Sequence, residues 1–140
     1  MRYNKVFQTL AFAIIFALLM VAIPVTPALA AKSISVTPSS GTIGDYVEIE
    51  CTGFSASDVD LYIYFSSESA SVNDEIDTDV INYERVAIVY ADDIDASFTT
   101  DFDVPESLTD GDEDEDVSSG TYYVYAAFED DDVIVAKDTF

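Results

Sequence analysis

The sequence contains no histidine and no tryptophan, and it has a single cysteine. Histidine is the usual general base near neutral pH, so the commonest catalytic acid–base group is missing. One cysteine cannot form a disulfide within the chain, and Cys51 falls on the inward side of an alternating strand pattern. We expect Cys51 to be an inert core residue rather than a nucleophile or an intermolecular disulfide partner. These scarcities predict that the chain is not an enzyme.

Positive charge is also scarce, with five basic residues against 28 acidic ones. Two of the basic residues fall within the first five positions, and the others are Lys32, Arg85 and Lys137. Residues 31–140 therefore carry three basic and 28 acidic side chains, a formal charge of −25. Such a surface repels a phosphate backbone, which excludes nucleic acid as a partner. This acidity is expected of a protein that stays soluble in high salt or of one located in a cation-rich surface layer.

The first thirty residues have the order of parts of a secretory signal peptide. Arg2 and Lys5 precede an apolar run over residues 10–23, and an A-L-A cleavage signal ends at Ala30. The run is shorter than the roughly 20 residues that a membrane-spanning helix needs. The alternative is an uncleaved N-terminal anchor, which would be the chain's only contact with a membrane. We predict a secreted or cell-surface protein, with cleavage after Ala30 leaving one domain over residues 31–140.

After residue 31, short runs rich in β-branched and aromatic residues alternate with clusters of glycine, proline, serine and aspartate. The clearest period-2 pattern is Tyr46 to Thr52, with glutamates on one face and apolar residues on the other. The pattern predicts an all-β, antiparallel immunoglobulin-like β-sandwich of about seven strands, preceded by a signal-peptide helix. The expected strands cover residues 33–37, 46–52, 60–66, 86–90, 96–104, 121–128 and 133–140.

Two local features refine this prediction. Gly41 and Gly44 bracket a tight turn between the first two strands, where glycine tolerates positive φ. Tyr122 follows Gly120 at the start of a late strand, which indicates a tyrosine corner whose hydroxyl bonds to backbone.

Three strings in this region resemble the opening of immunoglobulin-like domains of the IPT/TIG type. They are ISVTPSSG at residues 34–41, IGDYVEI at residues 43–49, and Gly53-Phe54. Residues 97–105 (SFTTDFDVP) and 120–126 (GTYYVYA) resemble the closing half of the same pattern.

The resemblance covers nearly all of residues 33–140 in the same order and implies an early-set immunoglobulin fold, often found in tandem arrays on prokaryotic surface proteins. The chain departs from the pattern at Cys51-Thr52 and in acidic insertions at residues 67–85 and 109–119.

The acidic segment near residue 112 is a candidate metal site. Asp110, Asp112, Asp114 and Asp116 alternate along it, and hard carboxylate oxygens suit Ca²⁺. The spacing is not that of an EF-hand loop. A second acidic cluster at residues 129–132 should lie at the other end of a sandwich, so the two clusters would not share one ion. The alternative is a solvated acidic loop.

Four tyrosines form the second candidate site. Tyr62 and Tyr64 point outward from one strand and Tyr123 and Tyr125 from another, and an immunoglobulin topology makes these strands neighbours. An exposed patch of four rings would suit a protein interface or a glycan platform. The alternative is cross-strand packing beneath a long loop such as residues 67–85.

The sequence favours an exported acidic module with a structural or adhesive role, whose partners are other protein modules or cell-envelope components. The alternative function is a Ca²⁺- or carbohydrate-binding module that uses the acidic 109–116 loop or the tyrosine face. The strand-like end at Phe140 fits either a chain that continues or a short protein that stops on its last strand.

Overall fold

The computed structural model describes residues 30–140. The predicted signal segment, apart from Ala30, lies outside the described residues. No helix within residues 30–140 is both long and apolar enough to cross a bilayer.

The regular secondary structure of residues 30–140 is β-strand, apart from one short 3₁₀ turn at Ala91–Asp93. The strands are β1 (Ser33–Thr37), β2 (Tyr46–Thr52), β3 (Leu61–Ser66), β4 (Tyr83–Val89), β5 (Ser97–Asp103), β6 (Ser107–Leu108), β7 (Glu115–Asp116), β8 (Tyr123–Phe128) and β9 (Ile134–Thr139). The seven longer strands confirm the seven predicted ones, although β4 begins three residues earlier than expected. The short β6–β7 pair was not predicted.

The strands form two antiparallel sheets that make a β-sandwich. The first sheet has the order β1-β2-β5 and the second has the order β4-β3-β8-β9, while β6 and β7 pair separately. The third and eighth strands are neighbours, as the sequence predicted. The all-β, antiparallel sandwich deduced from the sequence is therefore confirmed, while the predicted signal-peptide helix falls outside the described residues.

The main core lies between the two sheets and follows from the alternation in the strands. In β2, Val47, Ile49 and Cys51 are fully buried while Glu48 and Glu50 are exposed. Because successive side chains point to opposite faces, one face of each sheet supplies the core and the other keeps its charges in water.

A left-handed residue sets the turn into β2. Gly44 has a φ of 82°, and its N–H donates to the Val104 carbonyl at 2.9 Å. Any other residue type would be strained there, which confirms the conformational role predicted for Gly44.

The two ends of the described chain lie at opposite poles of the sandwich. At the first pole, Lys32 lies over the Phe128 ring, 5.7 Å from its centroid, at the end of β8. At the second pole, Phe140 exchanges two backbone hydrogen bonds with Tyr122, just before β8 begins, at 2.8 and 3.0 Å. The chain thus enters at one pole and reaches Phe140 at the other.

The predicted tyrosine corner is confirmed at the second pole. The Tyr122 hydroxyl accepts a hydrogen bond from the Ser118 N–H at 2.9 Å, four residues upstream. Its ring stacks on Phe65 with a centroid distance of 4.8 Å. This contact fixes the turn before β8 against the main core.

A second hydrophobic core lies on the outer face of the second sheet. Residues 67–82, which join β3 to β4 and are called the cover loop below, fold across that face. The buried members of this core are Tyr64, Ala70, Ile76, Val80, Tyr83, Tyr125, Ala127 and Ile134. The middle of the second sheet is therefore buried on both faces, unlike the sheet of a simple two-layer sandwich.

Backbone and side-chain hydrogen bonds hold the cover loop in place. The Tyr125 hydroxyl accepts from the Ala70 N–H at 2.7 Å and donates to the Glu68 carbonyl at 2.6 Å. One Glu68 carboxylate oxygen accepts from the N–H groups of Ile81 and Asn82, at 2.6 and 2.9 Å. These bonds satisfy backbone groups that the second core would otherwise bury without partners.

Changing Tyr125 to Phe should destabilise the protein by about 1–3 kcal/mol, because the Ala70 N–H and the Glu68 carbonyl lose their partner while the ring stays in place. Urea unfolding measures the loss of free energy, and amide hydrogen exchange should become faster in residues 67–82. The control is Tyr123→Phe, since the half-buried Tyr123 hydroxyl makes no hydrogen bond within residues 30–140. Equal losses in the two variants would contradict the role given to the Tyr125 hydroxyl.

Candidate functional site

The four tyrosines proposed as an exposed patch are not one. Tyr125 is fully buried and Tyr64 is 5% exposed, while Tyr62 and Tyr123 are half-buried at the margin. Tyr64 does lie directly opposite Tyr125, as neighbouring strands require. The prediction of an open platform is wrong because the cover loop lies on these rings, so the alternative of packing beneath the 67–85 insertion describes the face.

What remains open beside the cover loop is a small polar cavity of about 320 Å³. Its lining consists of aromatic rings, carboxylates and one guanidinium: Tyr62, Tyr64, Asp77, Tyr83, Arg85, Asp110, Glu129 and Asp132. The Arg85 guanidinium lies 4.7 Å from the centroid of the Tyr62 ring. At that distance the positive charge is attracted to the negative face of the ring.

Two phenols in this cavity hold two of its carboxylates. The Tyr64 hydroxyl donates to Asp132 Oδ1 at 3.1 Å, and the Tyr83 hydroxyl donates to Asp77 Oδ1. Burial, reinforced by the Asp132 carboxylate, raises the pKa of Tyr64 well above its ordinary value, and burial with the Asp77 hydrogen bond does the same for the pKa of Tyr83. Both phenols stay protonated at neutral pH, so they act as hydrogen-bond donors and not as bases.

The acidic residues predicted to bind Ca²⁺ are spread along a segment that lies against β4. Residues 109–112, called the strap below, are held by backbone bonds from Asp110 N to the Tyr83 carbonyl at 3.1 Å and from Asp112 N to the Ile81 carbonyl at 2.8 Å. A Cβ at Gly111 would overlap the Ile81 carbonyl oxygen, so glycine permits this close approach. The strap continues the second sheet beyond β4 by a few bonds.

The four predicted ligands do not converge on one point. Asp110 Oδ2 accepts the Arg85 N–H at 2.9 Å, and Asp116 lies in β7 opposite Ser107. Asp112 and Asp114 are exposed. Within residues 30–140, no group of three or more acidic or cysteine side chains is placed to hold a metal ion.

The lone cysteine is buried and chemically protected. Cys51 is fully buried in the main core, and burial, together with the Glu50 carboxylate, raises the pKa of its thiol to about 12. A thiol with that pKa carries almost no thiolate at neutral pH. This confirms the prediction of an inert core residue.

A cavity of about 640 Å³ lies at the second pole and was not predicted from the sequence. Its walls come from the turns before β2 and β8 and from the last residues of the chain, and they carry no charged side chain. The lining residues are residues 39–43, Phe65, Val104, residues 117–122, Thr139 and Phe140. Ile43 is 46% exposed at its rim, and Phe140 packs edge-on against Phe65 at 5.6 Å. A lining with no charged side chain is unusual on a chain that carries 28 acidic residues.

No residue pattern in the sequence marks this cavity, because its walls come from two turns and from the last residues described, which are far apart along the chain. The only local signals were the glycines and serines of those turns, which sequence reasoning assigned to turn geometry alone.

Comparison of the chain with known protein families and with characterised proteins finds no family model and no protein that matches it.

The raised phenol pKa values predict that the folded state loses stability at alkaline pH. In the unfolded chain Tyr64 and Tyr83 ionise near their ordinary value of 10.0, whereas in the fold they stay protonated to higher pH. Their contribution is therefore complete below pH 10 and is lost progressively as the pH rises above it.

Urea unfolding from about pH 8 to about pH 11 measures this loss. The double variant Tyr64→Phe/Tyr83→Phe should show a smaller alkaline loss than the unchanged protein. Tyr90→Phe, at a position that is 62% exposed, serves as the control and should keep the full loss. An unchanged alkaline loss in the double variant would show that these two phenols are not its source.

Proposed function

We propose that this chain is an exported immunoglobulin-like module, of the IPT/TIG kind, with a structural or adhesive role in a cell-surface or extracellular protein. The observation that carries the proposal is the position of Lys32 and Phe140 at opposite poles of the sandwich. A module built this way can be inserted in line between neighbours and adds its full length to an assembly.

The chemistry of the side chains supports a non-catalytic role. The chain has no histidine, its cysteine is a protonated core thiol, and the two best-placed phenols are fixed donors. A formal charge of −25 on residues 31–140 keeps such modules soluble and favours contact with cations rather than with nucleic acid. The partners proposed are other protein modules and components of the cell envelope.

Export is the part of this proposal that can be tested first. The protein recovered from the producing cells should begin at Ala31, because cleavage is proposed after Ala30, and mass spectrometry measures this directly. Antibodies against residues 31–140 should label intact cells or detect the protein in the medium. A cytoplasmic protein that retains residues 1–30 would overturn the proposal.

A second candidate function is the binding of a neutral carbohydrate at the second pole. The cavity there lies within the size range of small-molecule sites, combines apolar walls with serine and threonine hydroxyls, and has no charged side chain in its lining. Sugars present both an apolar face and hydroxyl groups, so this lining matches their chemistry. The acidic segment 109–116 supplies no comparable site for Ca²⁺ among the described residues.

Neutral glycans immobilised on an array test this second candidate. Binding should be lost in Ile43→Glu, which places a charge at the rim, and kept in Val72→Glu, a similarly exposed position in the cover loop. Absence of binding to every neutral glycan, or equal loss in both variants, would reject the carbohydrate site and leave the structural role untouched.

A further inference from the structure

The outer edges of the two sheets differ in how well they are protected against pairing with another chain. The β1 and β9 edges lie together, since the Val36 N–H donates to Asp138 Oδ2 at 2.8 Å. The β5 edge carries Asp101 and Asp103 and is followed by Pro105. Charges, proline and coverage by other segments are the ordinary means by which an edge strand avoids strand addition.

The β4 edge is protected over only half of its length. The strap covers it as far as Arg85, whose N–H donates to the Asp110 carboxylate. Beyond Arg85, no strand other than β3 pairs with β4 anywhere in residues 30–140. This open half reads Val86-Ala87-Ile88-Val89-Tyr90, which contains no charged residue.

The open half has the conformation and the side chains of a strand that is ready to pair. The register with β3 shifts at Val86, and pairing is regular from Ala87 to Val89. Tyr90 continues the extended conformation, with φ −69° and ψ 148°. Ile88 is 40% exposed and Tyr90 is 62% exposed. They are two residues apart on an extended segment, so both point to the outer face of the sheet.

We propose that this edge pairs with the same edge of a second copy of the chain, antiparallel and about a two-fold axis at Val89. In this register Ile88 of each copy lies opposite Tyr90 of the other. A two-fold contact requires such reciprocity, because the same patch must serve on both copies. Aromatic and β-branched residues directly opposite each other also form favourable cross-strand pairs.

Charge complementarity at the ends of the paired segment supports the same occupant. The register brings Arg85 of each copy alongside the Asp92-Asp93 turn of the other, where opposite charges meet. The remaining surface opposes association, since each copy carries a formal charge of −25 over residues 31–140. The paired segment has few residues, so the dimer is weak and depends on salt to screen the repulsion between the two copies.

This inference goes beyond the proposed function, and its test is independent of it. Association is measured on purified protein, so the result does not depend on whether the module is displayed on a cell. Residues 31–140 contain both cores and every described strand, so they are the protein to use. Sedimentation equilibrium up to about 1 mM measures association, at about 0.1 M and about 1 M NaCl. We expect a monomer–dimer equilibrium that shifts towards dimer at the higher salt.

Ile88→Glu should weaken the association at least about tenfold, because it places two new carboxylates beside the two-fold axis. Tyr90→Glu is a second variant at a more exposed position, and it should have the same effect. The matched control is Val72→Glu, which removes a similarly exposed apolar side chain and adds the same charge next to Asn73, whose N–H bonds to β9 at the opposite edge of the sheet. Circular dichroism establishes that each variant is folded.

Three results would overturn the proposal. The first is a monomer at every concentration and salt tested. The second is association that both edge variants leave unchanged, which would place the contact elsewhere. The third is an equal loss in Val72→Glu, which would mean that net charge and not the β4 edge controls association.

Discussion

The side chain of Tyr125 satisfies two requirements of the second sheet at once. The outer face of this sheet carries tyrosine, alanine and isoleucine side chains, which must be shielded from water. A loop that shields them brings its own backbone N–H and C=O groups into an apolar environment. Tyr125 resolves both, since its ring fills the second core and its hydroxyl bonds to Ala70 and Glu68. The cover loop that this contact helps to hold buries Tyr64 and, through Asp77, lines the small cavity beside Arg85.

Electrostatics shapes what the surface can do. With so few cations, most carboxylates in the described chain have no oppositely charged neighbour to bind, and many accept backbone N–H groups instead. Glu68, Asp110 and Asp138 each use a side-chain oxygen in this way. Carboxylates thus act as caps for turns and strand ends, which gives part of the acidity a structural purpose beyond solubility.

The sequence predicted the sandwich well because its strands alternate cleanly, and the face of each strand follows from a period of two. Val47, Ile49 and Cys51 were placed inward for that reason, and Tyr122 was recognised from its position before β8. The prediction of an open tyrosine face failed because alternation tells which side of the sheet a residue takes, and it does not tell whether a loop such as the cover loop folds across that side.

The strap and the neutral cavity could not be predicted for a related reason. The strap is fixed by backbone bonds to Ile81 and Tyr83, which leave no side-chain pattern except Gly111. The acidic run there suggested a metal cage, since carboxylate spacing in a sequence does not reveal whether oxygens converge. Backbone contacts and cavities built from separate segments can be recognised only in the folded structure.

The opposite placement of the chain ends has a mechanical consequence. A pulling force applied to the two ends would act along β1, from the pole beside Phe128 towards the pole beside Tyr122. The five residue pairs that join β1 to β2 would then carry the load together in shear, whereas ends at the same pole would open them one after another. Resistance to force is governed by the barrier to unfolding rather than by equilibrium stability, and loading the pairs together raises that barrier.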